Sequence, residues 1–306
     1  MEIFKKYEYF PTYKDIKMNR CLKENYIPIA SSLFRGNEKK YLMECIETNW
    51  ISSLGRFVSL FETNFSKFIG NRYSLTCSSG TSAIHLALLS TGIKENDEII
   101  VPSFTFIATV NAILYCGAKP VFADIDPVLW CIDPAEVRKK ISRKTKAILV
   151  VHIYGNPAEM GELQKIAKEE GLFLIEDCAE ALGAKYNNKY VGSFSDMSCF
   201  SFFGNKVITC GEGGMVSSNN SDLIEKAKIY RDHGMDPQRR YHHIVNGYNY
   251  RMTNLQAAVG LAQLEKIQSY LKERRRVFEE YFKRLQEVDD IILPFKGDKI
   301  RKPINW

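Results

Sequence analysis

Phe200-Ser201-Phe202-Phe203-Gly204-Asn205-Lys206, followed by Gly211-Glu212-Gly213-Gly214, sets one lysine at the end of an apolar, strand-like run and between two glycine-bearing turns. Upstream, Leu172-Phe173-Leu174-Ile175 is a second apolar run, closed by Glu176-Asp177, and Ser78-Ser79-Gly80-Thr81 opens an apolar helical stretch. Around these landmarks strands and helices alternate from Tyr73 onward. Strands are expected at 73–77, 98–101, 119–123, 146–152, 172–176, 197–202 and 214–217, and helices near 81–91, 106–115, 134–141 and 160–170. Short apolar strands separated by amphipathic helices predict an α/β fold with a mostly parallel central sheet flanked by helices. In such sheets ligands bind beyond the carboxyl ends of the strands, where Asp177 and Thr81 fall. Lys206 lies just past the run 197–202, whose direction the sequence leaves open.

Away from this block the pattern changes. Residues 1–26 are polar and aromatic without periodicity and read as an N-terminal arm. Gly36 begins a helix-like stretch, and Val58 to Ile69 carries apolar residues at helical spacing. Leu255, Val259, Leu261, Leu264, Ile267 and Leu271 predict one long helix from about Thr253 to Gln286, suited to connecting a second, smaller domain. The expected division is an arm at 1–26, a large domain at 27–252, and a connecting helix with the start of a small C-terminal domain at 253–306.

Composition narrows the function classes. A net charge of +6 is mild, and the basic clusters at Arg138 to Lys146 and Lys272 to Arg276 are mixed with acids in helical segments. They read as solvated faces rather than a nucleic-acid surface, while a slightly positive chain suits an anionic substrate such as a nucleotide diphosphate. No apolar run is long enough to span a bilayer and the first residues lack a signal peptide's features, so a cytoplasmic location is expected. None of the eight cysteines forms a C-x-x-C pair, and the five histidines show no ligand spacing. Reduced, buried thiols and no metal site are expected.

Three chemical parts remain: an amine, a carboxylate and a helix N-terminus. An unprotonated lysine at 206 can join an aldehyde and, once freed, move a proton between atoms. A carboxylate at 177 can keep a pyridine nitrogen protonated; its plainer role is to cap the segment from Cys178. Gly80 and Thr81 offer backbone N–H groups to a phosphate dianion, and the hydroxyl of Ser201 can join them. Phe106 can stack on a flat ring, although its spacing alone favours core packing. The segment Gly247 to Asn254 can reach a phosphate across a dimer interface or simply cap the next helix through Thr253 or Asn254. Together these parts are what a pyridoxal phosphate enzyme requires.

The motifs Ser79-Gly80-Thr81-Ser82-Ala83, Glu176-Asp177-Cys178-Ala179-Glu180-Ala181, Phe200 to Lys206, Gly211 to Gly214 and Gly247 to Asn254 resemble those of the DegT/DnrJ/EryC1/StrS family of nucleotide-sugar aminotransferases. The resemblance runs from about Ile27 to Trp306. It implies the fold-type-I architecture of pyridoxal phosphate transferases, with a small C-terminal domain truncated at Trp306, because family members continue beyond that point. It also implies roles. Lys206 matches the lysine that joins the cofactor, Asp177 the partner of its ring nitrogen, Gly80, Thr81 and Ser201 the phosphate contacts, and Phe106 the stacking aromatic. Glu180 falls near the cofactor where relatives often carry histidine or glutamine. Asn249 matches a residue reaching the phosphate from the other subunit, which implies a homodimer with shared active sites. The implied reaction moves an amino group from L-glutamate to a nucleotide-linked 4-keto-6-deoxy sugar, GDP-linked by first choice, for a surface polysaccharide such as O-antigen. A UDP-linked substrate and a truncated, non-catalytic paralogue are the alternatives. A sugar 3-dehydratase of the same family is disfavoured, since histidine would replace Lys206.

Overall fold

Seven strands form the central sheet: β1 (Tyr73–Cys77), β2 (Glu98–Pro102), β3 (Lys119–Ala123), β4 (Thr145–Val151), β5 (Phe173–Asp177), β8 (Met197–Ser201) and β9 (Gly214–Ser218). The intervening β6 (Lys185–Tyr186) and β7 (Lys189–Tyr190) join β10 (Arg301–Lys302) in a separate three-stranded sheet. This is a computed structural model that describes residues 30–304, and every element lies in the unit Ser32–Trp306. The expected arm at 1–26 lies outside the described residues, as does Cys21.

The order in the large sheet is β1-β9-β8-β5-β4-β2-β3. Pairs β2–β3, β2–β4, β4–β5 and β5–β8 are parallel, and β9 is antiparallel to both of its neighbours. The sheet is therefore mostly parallel, as expected. Because β8 runs parallel to β5, the chain leaves Ser201 and Asp177 at the same edge. That settles the direction left open above and brings Lys206 towards Asp177. Strand β1 shares this direction, so Cys77 leads into the Ser79-Gly80 turn at that edge too.

The helices are α1 (Glu38–Glu47), α2 (Arg56–Ile69), α3 (Gly80–Ser90), α4 (Ile107–Tyr115), α5 (Pro134–Lys140), α6 (Met160–Glu170), α7 (Ser221–Arg231), α8 (Asn254–Leu264) and α9 (Ile267–Leu285). Apolar spacing explains how they seat. On α2, Phe57, Phe61 and Phe65 recur every four residues and are buried. Phe61 packs on Phe202 with ring centroids 5.1 Å apart, and Phe65 on Phe200 at 4.9 Å. Each such ring contributes about 2–3 kcal/mol by burial, and together they pin the strand that precedes Lys206. Gly70, in the left-handed region at φ 88°, ends α2 by donating its N–H to the Ser66 carbonyl.

One expected helix is two. The run predicted from Thr253 to Gln286 breaks between α8 and α9, at Glu265-Lys266. No glycine or proline marks the break. Glu265 is instead drawn to α1, accepting hydrogen bonds from Tyr41 Oη at 2.6 Å and Asn37 Nδ2 at 2.7 Å. Thr253 is the N-cap of α8, with a reciprocal capping box to Gln256, so the capping alternative for that residue is what the structure shows. Asn254 lies just inside the helix and ties it to α2, accepting from the Phe57 N–H at 2.9 Å.

The seven described cysteines are free, and six of them are buried. No helix among the described residues is long and apolar enough to cross a membrane.

Candidate active site

Beyond the carboxyl ends of β1, β4, β5 and β8 lies a cavity of about 400 Å³. Lys206, Asp177, Gly80, Thr81, Ser201, Phe106 and Glu180 all line it. Asn249 does not: it is exposed, paired with Asp232 as an isolated bridge, and accepts from Arg251 at 3.3 Å. That position does not conflict with service to a second subunit.

Asp177 ends β5 and is 6% exposed. Its Oδ2 accepts from Thr109 Oγ1 at 2.8 Å, and its Oδ1 from the Ala179 N–H at 3.0 Å. Burial pushes its carboxyl above the usual carboxylate range, while these two donors and the Lys206 charge pull it back. The carboxylate thus also holds the turn after β5, but no helix begins at Cys178 for it to cap. Thr109 was not foreseen. Its signal is spacing, since it lies three residues after Phe106 and faces the same cavity.

Lys206 follows β8 in a turn closed by its own N–H on the Phe203 carbonyl at 3.0 Å. Burial lowers its ammonium below the ordinary lysine range, Glu180 and Asp177 oppose that shift, and Arg274 adds to it. Glu180 accepts from the Tyr154 N–H at 2.8 Å, and burial raises its carboxyl. Asn205 and Glu212 also line the cavity.

The start of α3 borders the same cavity. Ser79 is its N-cap, with its hydroxyl spent on the Ser82 N–H at 3.1 Å, so the N–H groups of Gly80 and Thr81 are left without partners inside the helix. Two glycines allow the close approach. A Cβ on Gly80 would stand 2.8 Å from Ser201 Cβ, and one on Gly214 only 2.2 Å from the Ser79 carbonyl oxygen. Gly80→Ala should therefore spread α3 from β8 and weaken pyridoxal phosphate binding about tenfold or more. A fluorescence titration of the cofactor checks this, and an unchanged affinity would remove Gly80 from the cradle. Phe106 precedes α4 and is 69% exposed, so it is a cavity wall rather than a core residue.

Behind Asp177 lies a buried strut. The His152 N–H donates to the Asp177 carbonyl at 3.1 Å, and His152 Nε2 meets Glu176 Oε2 at 2.9 Å. His152 Nδ1 accepts from the Ala158 N–H at 3.1 Å, which assigns the ring proton to Nε2. Glu176 further accepts from the N–H groups of Gly192 at 2.7 Å and Phe194 at 3.0 Å. Burial alone would raise the Glu176 carboxyl, but His152, the Gly192 N–H and Ser195 outweigh it and hold it low.

His152, Glu176 and Cys178 bring potential metal-ligand atoms within 4.8 Å of one another. Both imidazole nitrogens and both carboxylate oxygens are already engaged, and burial keeps the thiol well above its ordinary value. His152 and Glu176 therefore serve as a hydrogen-bonded strut behind Asp177. Glu176→Gln should cost about 2–4 kcal/mol in denaturant unfolding at neutral pH, because an amide N–H₂ would then face backbone donors. The sign follows from the depressed carboxyl. Its stabilisation is present above the unfolded carboxylate value and is lost as pH falls through the lower folded one, so wild type and variant should converge in acid.

The residues fit a flat, phosphorylated pyridine aldehyde. N–H donors at a helix start, an amine of lowered basicity, a buried carboxylate and an aromatic wall share one cavity, with glycine where a Cβ would fill the cradle.

From residue 33 to 304 the sequence matches the DegT/DnrJ/EryC1/StrS aminotransferase family. It is 48% identical over 263 residues to the GDP-perosamine synthase of Escherichia coli O157:H7, covering 86% of this chain and 72% of that one. Identity is 46% over 277 residues with the GDP-perosamine synthase of Caulobacter vibrioides, covering 90% and 72%. Among solved structures, Bacillus subtilis NtdA with bound cofactor PMP superposes with a TM-score of 0.78 at 32% identity, over 83% of this chain and 58% of that one.

Proposed function

Since the chain belongs to the DegT/DnrJ/EryC1/StrS aminotransferase family, we propose that it transfers an amino group from L-glutamate to a nucleotide-linked 4-keto-6-deoxy sugar. It is a pyridoxal phosphate-dependent enzyme of that family. GDP is the favoured nucleotide, because the two relatives above are GDP-perosamine synthases. A homodimer fits the exposed position of Asn249, and the product suits a surface polysaccharide.

The observation that carries the reading is the shared cavity of Lys206, Asp177 and the Gly80-Thr81 helix start. When bound, the cofactor supplies an aldehyde for amine capture and a ring that accepts electrons from the reacting carbon. The N–H groups of Gly80 and Thr81, with Ser201 Oγ, would hold its phosphate. Asp177, braced by Thr109 and Ala179, supplies the negative charge that keeps the ring nitrogen protonated. Lys206 Nζ takes the proton from the donor carbon and returns it on the far side of the exchange, and the opposite sequence applies to the keto sugar. Phe106 would cover the ring and help to exclude water.

The test is a two-part assay on the full chain with pyridoxal phosphate. L-glutamate alone should bleach the visible absorbance of the bound cofactor, and a panel of GDP- and UDP-linked keto sugars should restore it. Restoration by GDP sugars is the expected result. Restoration by UDP sugars alone would reassign the nucleotide. Binding without bleaching would favour a non-catalytic paralogue.

A further inference from the structure

The turn that carries Lys206 is held at three successive carbonyls. Phe203 accepts from the Lys206 N–H at 3.0 Å, Gly204 from Ser32 Oγ at 2.8 Å, and Asn205 from Arg274 Nη2 at 3.2 Å. Arg274 reaches this turn from α9, a helix with no role in the chemistry above. Its basic neighbours Arg276 and Arg284 pair with Glu273 and Glu280 on the same helix. Arg274 instead spends its donor on a backbone carbonyl.

A half-buried guanidinium facing a carbonyl rather than a carboxylate is costly, since it stays charged when desolvated. Its field falls on the neighbouring lysine. Among the described residues, the charged groups around Lys206 include Asp177 at the end of β5, Glu180 in the turn after it, Glu212 in the turn before β9, and Arg274 from α9. The acids favour the ammonium, whereas the guanidinium favours the free amine. An amine beside a second fixed cation gives up its proton more readily, which is one way a lysine becomes nucleophilic near neutral pH.

We propose that Arg274 is a positioning residue for Lys206: it anchors the Phe203–Lys206 turn through the Asn205 carbonyl and supplies the like charge that keeps the amine available to an aldehyde. The inference rests on Lys206 as the cofactor-binding residue. It predicts that the charge of residue 274, more than its exact shape, shifts the pH at which Lys206 reacts, beside the larger effects of burial, Glu180 and Asp177.

The test uses the full chain and pyridoxal phosphate, with no amino donor or sugar. The initial rate of cofactor capture is followed by absorbance at a series of pH values, and the midpoint of the rate profile is the readout. Arg274→Gln should move that midpoint upward by about one pH unit. Arg274→Lys, which keeps the charge, should bring it back towards wild type. Arg274→Met provides a second neutral variant should the glutamine variant not fold. A neutral variant that titrates at the wild-type midpoint overturns the inference, even if turnover falls. So does a lysine variant shifted as far as the neutral one. Wild-type protein that captures no cofactor on Lys206 would instead defeat the functional reading itself.

Discussion

Lys206→Ala should lower turnover by roughly ten-thousand-fold or more, because the same amine both receives the cofactor and moves the proton. The loss should appear in both halves of the reaction, glutamate bleaching and keto-sugar amination alike. The fold should survive. Lys206 is half-buried in a turn whose carbonyls are held by Ser32, Arg274 and its own backbone N–H, and all three contacts remain after truncation. Alanine also relieves the desolvation that pushes the ammonium down. The measurement pairs single-turnover kinetics with thermal unfolding. Activity near wild type would discard the mechanism, while a collapsed melting temperature would make Lys206 a structural residue.

Asp177→Asn should cost about a thousandfold in turnover, since an amide cannot hold the ring nitrogen protonated. Its effect on the cofactor-free protein runs the other way. Burial places the Asp177 carboxyl above its unfolded value, so the ionised side chain subtracts from stability at neutral pH. That penalty fades as pH falls through the raised folded value and is gone below the unfolded one. Removing the charge removes the penalty, and the Thr109 hydroxyl can turn to serve an amide. The variant should therefore melt no lower than wild type at neutral pH, with its advantage shrinking in acid. A loss of activity together with a marked fall in melting temperature would mean that Asp177 serves the turn after β5 rather than the cofactor.

The seven main strands were legible to within a residue or two because their apolar runs are short and bounded by turn residues. Their order was not. Nothing local in Gly214 to Ser218 announces that β9 enters antiparallel between β8 and β1, since that pairing is chosen by the Gly211–Gly213 turn and by the room Gly214 leaves for the Ser79 carbonyl. The break at Glu265-Lys266 was hidden for a related reason. Its cause is Tyr41 and Asn37, more than two hundred residues away.

The same division holds at the site. Lys206, Asp177 and Gly80 stand out because each sits at the end of a readable element, and the fold brings all three to one cavity. Phe106 could not be separated from a core aromatic by spacing, and only its 69% exposure on the cavity wall decides the matter. Thr109, the His152–Glu176 strut and Arg274 act through contacts that join distant segments. Their residue types are ordinary, and only the folded chain places them around Asp177 and Lys206.

Borohydride reduction of the full chain with pyridoxal phosphate, followed by peptide mapping, tests the central claim most directly. One phosphopyridoxyl group on the peptide that contains Lys206, lost in the alanine variant, is the predicted result. A label scattered over surface lysines, or a single label elsewhere, would contradict it.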